Sequence, residues 1–314
     1  MFILRLRAEM CFLLISLILL STTNTVMAEE SSWYPGKRLR EFLSQRNQKK
    51  ENEENVAAKI LVKTDIYYSK DKDTLKSLDI YLPQIPRSPF PAIIYIHGGG
   101  WKRGDKRGGR KHGLFYGSKG IVFISLNYRL APDHRHPVQA EDCAEAINWV
   151  SGNVKEVGMK EGRLYLSGHS AGAHLAALLA TDPSYLGKYN IPTTIFGGVI
   201  PVDTASFDLL SETNENFVKD LVKVNFGTDP ESLRRASPIH WVKDNENYSP
   251  FLILASANRM PVVTQGKILV DKLQSAGSIA FFEAIDDHNH RKMNVGMYTE
   301  GDPVSTAILK FISP

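Results

Sequence analysis

The chain has 314 residues, 43% of them hydrophobic and 23% charged, an ordinary globular balance that allows a sizeable core. Lys and Arg number 38 against 34 Asp and Glu, a net charge of +4, with no basic stripe of the kind nucleic-acid binders carry. The two cysteines are Cys11 and Cys143, too few for a disulfide framework.

In chain order, residues 1–28 come first and read as a secretory signal. Arg5 and Arg7 precede an uncharged apolar run over 11–20, and a polar stretch then ends in Val26-Met27-Ala28. Small residues stand where a signal peptidase reads, so cleavage is expected after Ala28. The apolar run is short for a membrane span of about 20 residues. The expectation is a secreted or periplasmic protein with no stable membrane insertion after cleavage. Cys11 leaves with the signal, and Cys143, inside Ala140-Glu-Asp-Cys-Ala-Glu-Ala146, reads as an amphipathic-helix residue and not a nucleophile.

Residues 29–57 are polar and dense in charge and read as a flexible N-terminal arm with a helical turn over 38–43. From there to residue 314 the pattern is that of one catalytic domain, 58–314, in which strands alternate with helices. Residues 61–68 and 77–82 read as half-buried strands. The short apolar runs at 92–96, 120–127 and 163–167 read as central parallel strands. Helices are expected at 138–152 and 170–181, strands at 196–201 and 251–255, a helix at 262–276, a strand at 279–284 and a closing helix at 303–312. Such alternation argues for an α/β fold, a mostly parallel sheet covered on both faces. The less regular stretch 204–249 is expected to form a small cap over the carboxyl edge of the sheet.

Two motifs fall at strand ends. Gly168-His169-Ser170-Ala171-Gly172 follows Leu164-Tyr-Leu-Ser167 and opens a helix, the strand–turn–helix context of a nucleophile elbow. Small residues two places either side let the chain turn sharply and present the Ser170 Oγ. A five-residue match alone is weak. His97-Gly98-Gly99-Gly100-Trp101, again after an apolar strand, strengthens it, because glycines let backbone N–H groups face a cavity and hold an oxyanion. A phosphate-binding loop is the competing reading, but the Lys-Ser/Thr ending of a P-loop is missing.

With both motifs in this order, the chain resembles the hormone-sensitive-lipase-like and feruloyl-esterase-like branches of the α/β-hydrolases. The likeness includes Leu78-Asp-Ile-Tyr-Leu-Pro83, Tyr128-Arg-Leu-Ala-Pro132, Pro137 and Asp142, and covers roughly residues 60 to 314. It implies an oxyanion hole from the N–H groups of Gly99, Gly100 and Ala171, and a general-base histidine near the C-terminus. Asp286-Asp-His-Asn-His290 offers His288 and His290, and the turn into the last helix favours His290. A His-x-His metal pair is the competing reading, with no third ligand apparent. His134 and His136 read as an exposed loop pair, and His97, His169 and His174 as packing residues around the motifs.

The triad acid is missing from its expected place after the seventh strand, since no Asp or Glu lies between Glu246 and Asp271. Asp203, at the end of the preceding strand, could reach the histidine, though a turn residue or helix N-cap is its competing reading. Asn258 is the other candidate, and a neutral partner there would make a slow enzyme. The expected activity is hydrolysis of a small-molecule or carbohydrate carboxylic ester through an acyl-enzyme, with no metal or cofactor and no nucleic-acid partner. Acetyl or feruloyl esters of polysaccharides and small acyl esters are the substrates considered. An amidase or formamidase, or a ligand-binding relative that has lost the acid, are the alternatives.

Overall fold

The computed structural model describes residues 42–44, 46, 59–84, 90–212 and 216–313. The signal reading of 1–28 lies outside these residues, as does most of the arm, of which 42–44 and 46 are helical. Contacts divide the chain into Met1–Asn55 and Val56–Pro314. Among the described residues no helix is long and apolar enough to cross a membrane.

The second unit is built on an eight-stranded sheet in the order β1-β2-β4-β3-β5-β6-β7-β8. The strands are β1 (Ile60–Tyr67), β2 (Ser77–Pro83), β3 (Phe90–Ile96), β4 (Val122–Leu126), β5 (Met159–His169), β6 (Phe196–Val202), β7 (Phe251–Ser256) and β8 (Ala280–Ile285). The β1–β2 and β2–β4 pairs are antiparallel and all later pairs are parallel. Strands β3, β4 and β6 are almost wholly apolar because both faces are covered. Along β3, Ala92, Ile94 and Ile96 enter one core, while Ile93 and Tyr95 enter the other. The first core is closed by helices Val138–Gly152, Ala171–Thr181 and Met260–Ser275, the second by Arg110–Ser118, His290–Gly296 and Pro303–Ile312.

The helix Arg110–Ser118 was not foreseen from sequence, and its composition explains why. Gly113 and Gly117 sit in its middle, and glycine normally disfavours a helix interior by about 1 kcal/mol. Here they permit close docking, since a Cβ on Gly113 would lie 2.2 Å from the Tyr81 ring. The strand expected at 163–167 extends to Met159–His169. The stretch 204–249 is more regular than its sequence suggests. It contains helices Asn216–Phe226 and Pro230–Arg235 and a 3-10 turn Pro238–His240, of which the first contributes Val218 and Leu221 to the cavity described below.

The sequence features shared with the resemblance hold the scaffold together. Tyr128 Oη donates to the His97 carbonyl at 2.9 Å, and Arg129 makes a two-pronged pair with buried Asp142. Cys143 is buried in the helix Val138–Gly152, and burial pushes its thiol well above the ordinary value. A thiolate is therefore disfavoured there.

Candidate active site

Because the sheet is parallel at its centre, the carboxyl ends of β3, β5, β6 and β7 deliver four loops to one edge. The turn after β5 is the sharpest. Ser170 has φ 57° and ψ −121°, immediately before the helix that starts at Ala171, a conformation that L-residues adopt only under constraint. The constraint comes from packing. A Cβ on Gly168 would lie 2.3 Å from the Gly172 carbonyl oxygen, and one on Gly172 would lie 2.0 Å from that of Ile96. The two flanking glycines are thus needed for clearance, and the Ser170 N–H donates to the Val202 carbonyl at 2.9 Å.

The loop after β3 turns through positive φ at Gly99, Gly100 and Trp101. Trp101 Nε1 donates to His174 Nδ1, whose Nε2 in turn donates to the Ala236 carbonyl at 2.8 Å. Burial holds His174 neutral, its value lowered to about 3, which suits its role as both acceptor and donor. His97 stacks on Tyr128 with ring centroids 4.4 Å apart. His97 and His174, with His169, act as supports for the loop edges. His136 differs from its expected exposed position: it packs against Phe226, and Tyr185 Oη lies 3.3 Å from its Nε2. Burial lowers it to about 4.

The histidine of the last loop is brought to the same edge. His290 Nδ1 lies 2.6 Å from Asp203 Oδ2. Asp203 is the residue after β6, with φ 55° and a fully buried side chain. It caps no helix; its Oδ1 accepts the Ser256 N–H at 2.9 Å. Burial works against its charge, but His290, Arg259 and the Ser256 N–H together outweigh burial and lower it to about 2. His169 Nε2 donates to the His290 carbonyl at 2.9 Å and its ring packs on that of His290. The elbow residue next to Ser170 therefore fixes the backbone of His290.

His288 goes elsewhere. Its Nε2 is 3.0 Å from Asp302 Oδ2, and its Nδ1 faces the Asp286 carbonyl. The two imidazoles of His288 and His290 thus engage different carboxylates, an arrangement unlike a shared metal pair. Burial opposes the His288 charge, but Asp286 and Asp302 outweigh it and raise the value above 6.5. A raised folded value stabilises the protein below the unfolded value, and that contribution is lost as pH rises through the folded one. The melting temperature of His288→Gln should therefore fall furthest behind the parent below pH 6.5 and close on it as pH rises through the folded value. A gap that is constant with pH would refute this.

Asn258 is exposed and among the described residues makes no bond to His290. Its neighbour Arg259, which sequence reasoning passed over, enters instead. Arg259 Nη1 is 2.7 Å from Asp203 Oδ2 and 2.9 Å from His290 Nδ1. With His290 Nδ1–H donating to Asp203, both groups share one carboxylate oxygen. The only available signal was a lone Arg in the segment where an acid belongs. Among the described residues, His169, Asp203 and His290 are the one group of three whose ligand atoms all come within 4.8 Å of one another. The adjacent guanidinium opposes a cation at that spot.

Two cavities meet at Ser170 and His290. The larger, about 520 Å³, is bounded by His97–Gly100, Lys102, Arg103, Arg291 and Asn294. The smaller, about 220 Å³, is bounded by Trp101, Ala171, Val218, Leu221 and Arg259. Ser170, Ala171 and Gly100 line the smaller one, and Gly99 and Gly100 the larger.

This sheet, with a strained serine at the β5 elbow, a glycine loop after β3 and a histidine–carboxylate pair beside them, defines an α/β-hydrolase fold. The chain belongs to the BD-FAE family, whose profile matches residues 78–273. It is 36% identical over 103 residues to carboxylesterase NlhH of Mycobacterium tuberculosis, covering 32% of each chain. It is 30% identical over 222 residues to esterase LipC of the same organism, covering 65% of this chain and 53% of that one. The chain thus spans a third to about half the length of these curated relatives. Among solved structures it is similar to esterase B from Lactobacillus rhamnosis, with TM-score 0.67 and 19% identity over 87% of this chain and 92% of that chain. A truncated carbohydrate esterase from gut microbiota gives TM-score 0.65 and 20% identity over 81% and 97%.

Proposed function

We propose that this protein is an exported serine hydrolase that cleaves carboxylic esters through an acyl-enzyme on Ser170. The observation that carries this reading is the 2.6 Å contact of His290 with buried Asp203, beside a cavity that Ser170 also lines. In the first half-reaction His290 Nε2 takes the Ser170 hydroxyl proton as Oγ attacks the ester carbonyl carbon. The resulting oxyanion is held by the N–H groups of Gly99, Gly100 and Ala171. Collapse breaks the bond to the alcohol oxygen, which receives the proton from His290. A water then gives its proton to His290, attacks the acyl carbon and releases the acid and free Ser170. Asp203 accepts from His290 Nδ1–H throughout and stabilises the imidazolium.

The carboxylesterase names of the sequence relatives support an ester substrate. The small cavity suits a short acyl group such as acetyl, and the name of one structural neighbour favours a sugar alcohol. Export rests on the signal-like residues 1–28. A ligand-binding relative without activity fits less well, because the acid missing after β7 has a substitute in Asp203.

Mass spectrometry of protein purified from an exporting host tests both parts. The mature chain should begin at Glu29, and a phosphonylating reagent should add one group on the peptide bearing Ser170 as ester hydrolysis is lost. An intact N-terminus would overturn export. Full hydrolysis after reagent treatment, with Ser170 unmodified, would overturn the mechanism.

A further inference from the structure

The walls of the larger cavity are asymmetric in charge. Lys102 and Arg103 approach from the segment after the glycine loop, and Arg291 from the loop carrying His290. All three are exposed, and among the described residues none has a carboxylate within ion-pair distance. The single carboxylate in the lining is Asp105, and it is already engaged. It accepts from the Arg107 N–H at 2.8 Å and from Asn127 Nδ2 at 3.2 Å. The nearby Lys106 is a different case, since it is buried and neutralised by Asp65 and Asp79. Among the described residues no carboxylate therefore pairs with the three cations at the mouth, although they arrive from two segments far apart in sequence.

We propose that the ester this site cleaves carries a negative charge on its alcohol portion, held by Lys102, Arg103 and Arg291. The inference rests on the hydrolase reading above and adds a substrate class to it. The alcohol half is chosen for two reasons. Arg291 adjoins His290, which hands its proton to the departing alcohol oxygen. The smaller cavity, about 220 Å³, suits a short acyl group, and its one cation, Arg259, is already paired with Asp203. Charges of one sign around a cleft raise the local concentration of an opposite-sign substrate and hold it, an effect screened by salt. A uronate or another acidic sugar, or a small aromatic acid, presents the required carboxylate.

The test compares 4-acetoxybenzoate with its neutral analogue 4-acetoxybenzamide, which share the acyl group and nearly the same leaving group. At pH 7 and low ionic strength the anion should be preferred in kcat/KM by about tenfold, the difference lying in KM; exposed ion pairs add roughly two- to fivefold each. The preference should shrink strongly in about 0.5 M salt, where the screening length is a few ångströms. In the variant K102Q/R103Q/R291Q the ratio should fall to about one. In R110Q/K111Q, which removes charge outside the cavity lining, it should persist. Equal kcat/KM for the two esters in the parent would overturn the proposal, as would a preference that survives the triple substitution. Hydrolysis of neither ester would instead overturn the esterase reading beneath it.

Discussion

Asp203→Asn is expected to lower kcat by about ten-thousandfold with little change in KM. In a serine triad the same change holds the histidine in the wrong tautomer and removes the charge that stabilises the imidazolium, at about that cost. The geometry makes Asp203 the residue in question: its Oδ2 lies 2.6 Å from His290 Nδ1, and its side chain is fully buried. Asn258→Ala should leave the rate unchanged, because Asn258 is exposed and its amide makes no bond to His290 among the described residues. The neutral Asn at 203 also removes the carboxylate paired with Arg259 at 2.7 Å, and breaking a partly buried ion pair is itself destabilising. The double variant D203N/R259Q separates the two effects. It should recover thermal stability but not activity. Full kcat in either variant would show that Asp203 is not the acid.

The same carboxylate makes stability depend on acid. Its folded value is lowered from 3.8 to about 2, so its contribution, about 2 kcal/mol, is present above pH 4 and lost as pH falls through the folded value. Acid unfolding of the parent should therefore include a component near pH 2 to 4 that D203N/R259Q lacks.

Ser170→Ala should lower kcat further, by on the order of a millionfold, since loss of a triad nucleophile alone costs nearly as much as loss of the whole triad. Residual turnover would come from the oxyanion donors acting on an attacking water. Backbone conformation yields a second readout. Ser170 is held at φ 57°, a region open to glycine at little cost. Ser170→Gly should be as inactive as Ser170→Ala but more stable, by about 1 kcal/mol. Equal hydrolysis by the parent and Ser170→Ala would remove Ser170 from the mechanism.

Much of this molecule is legible without coordinates. The near-continuous apolar runs of β3 and β4, broken in β4 only by Ser125, declare central parallel strands, because a strand buried on both faces has no polar side to alternate with. The elbow and the glycine loop are equally readable, since their function depends on backbone that only small residues permit. The helix Arg110–Ser118 was hidden for the converse reason: its glycines serve a tertiary approach to Tyr81 and Ile60 that local propensity counts against it.

By itself, then, the sequence determined the fold class, the serine at its elbow and a short choice of partners for it, because those rest on local patterns. Tertiary structure sets the candidate partners in different places. His288 and His290 stand two residues apart with the same chemistry, and only the packing of Asp302 against one and Asp203 against the other separates their roles. Asp203 and Arg259 are 56 residues apart, yet parallel pairing of β6 with β7 sets Val202 beside Leu254 and brings the residues after both strands to one histidine. Register between strands is a long-range property, so the pairing of Asp203 with His290 could be sought in the sequence but is seen only in the sheet.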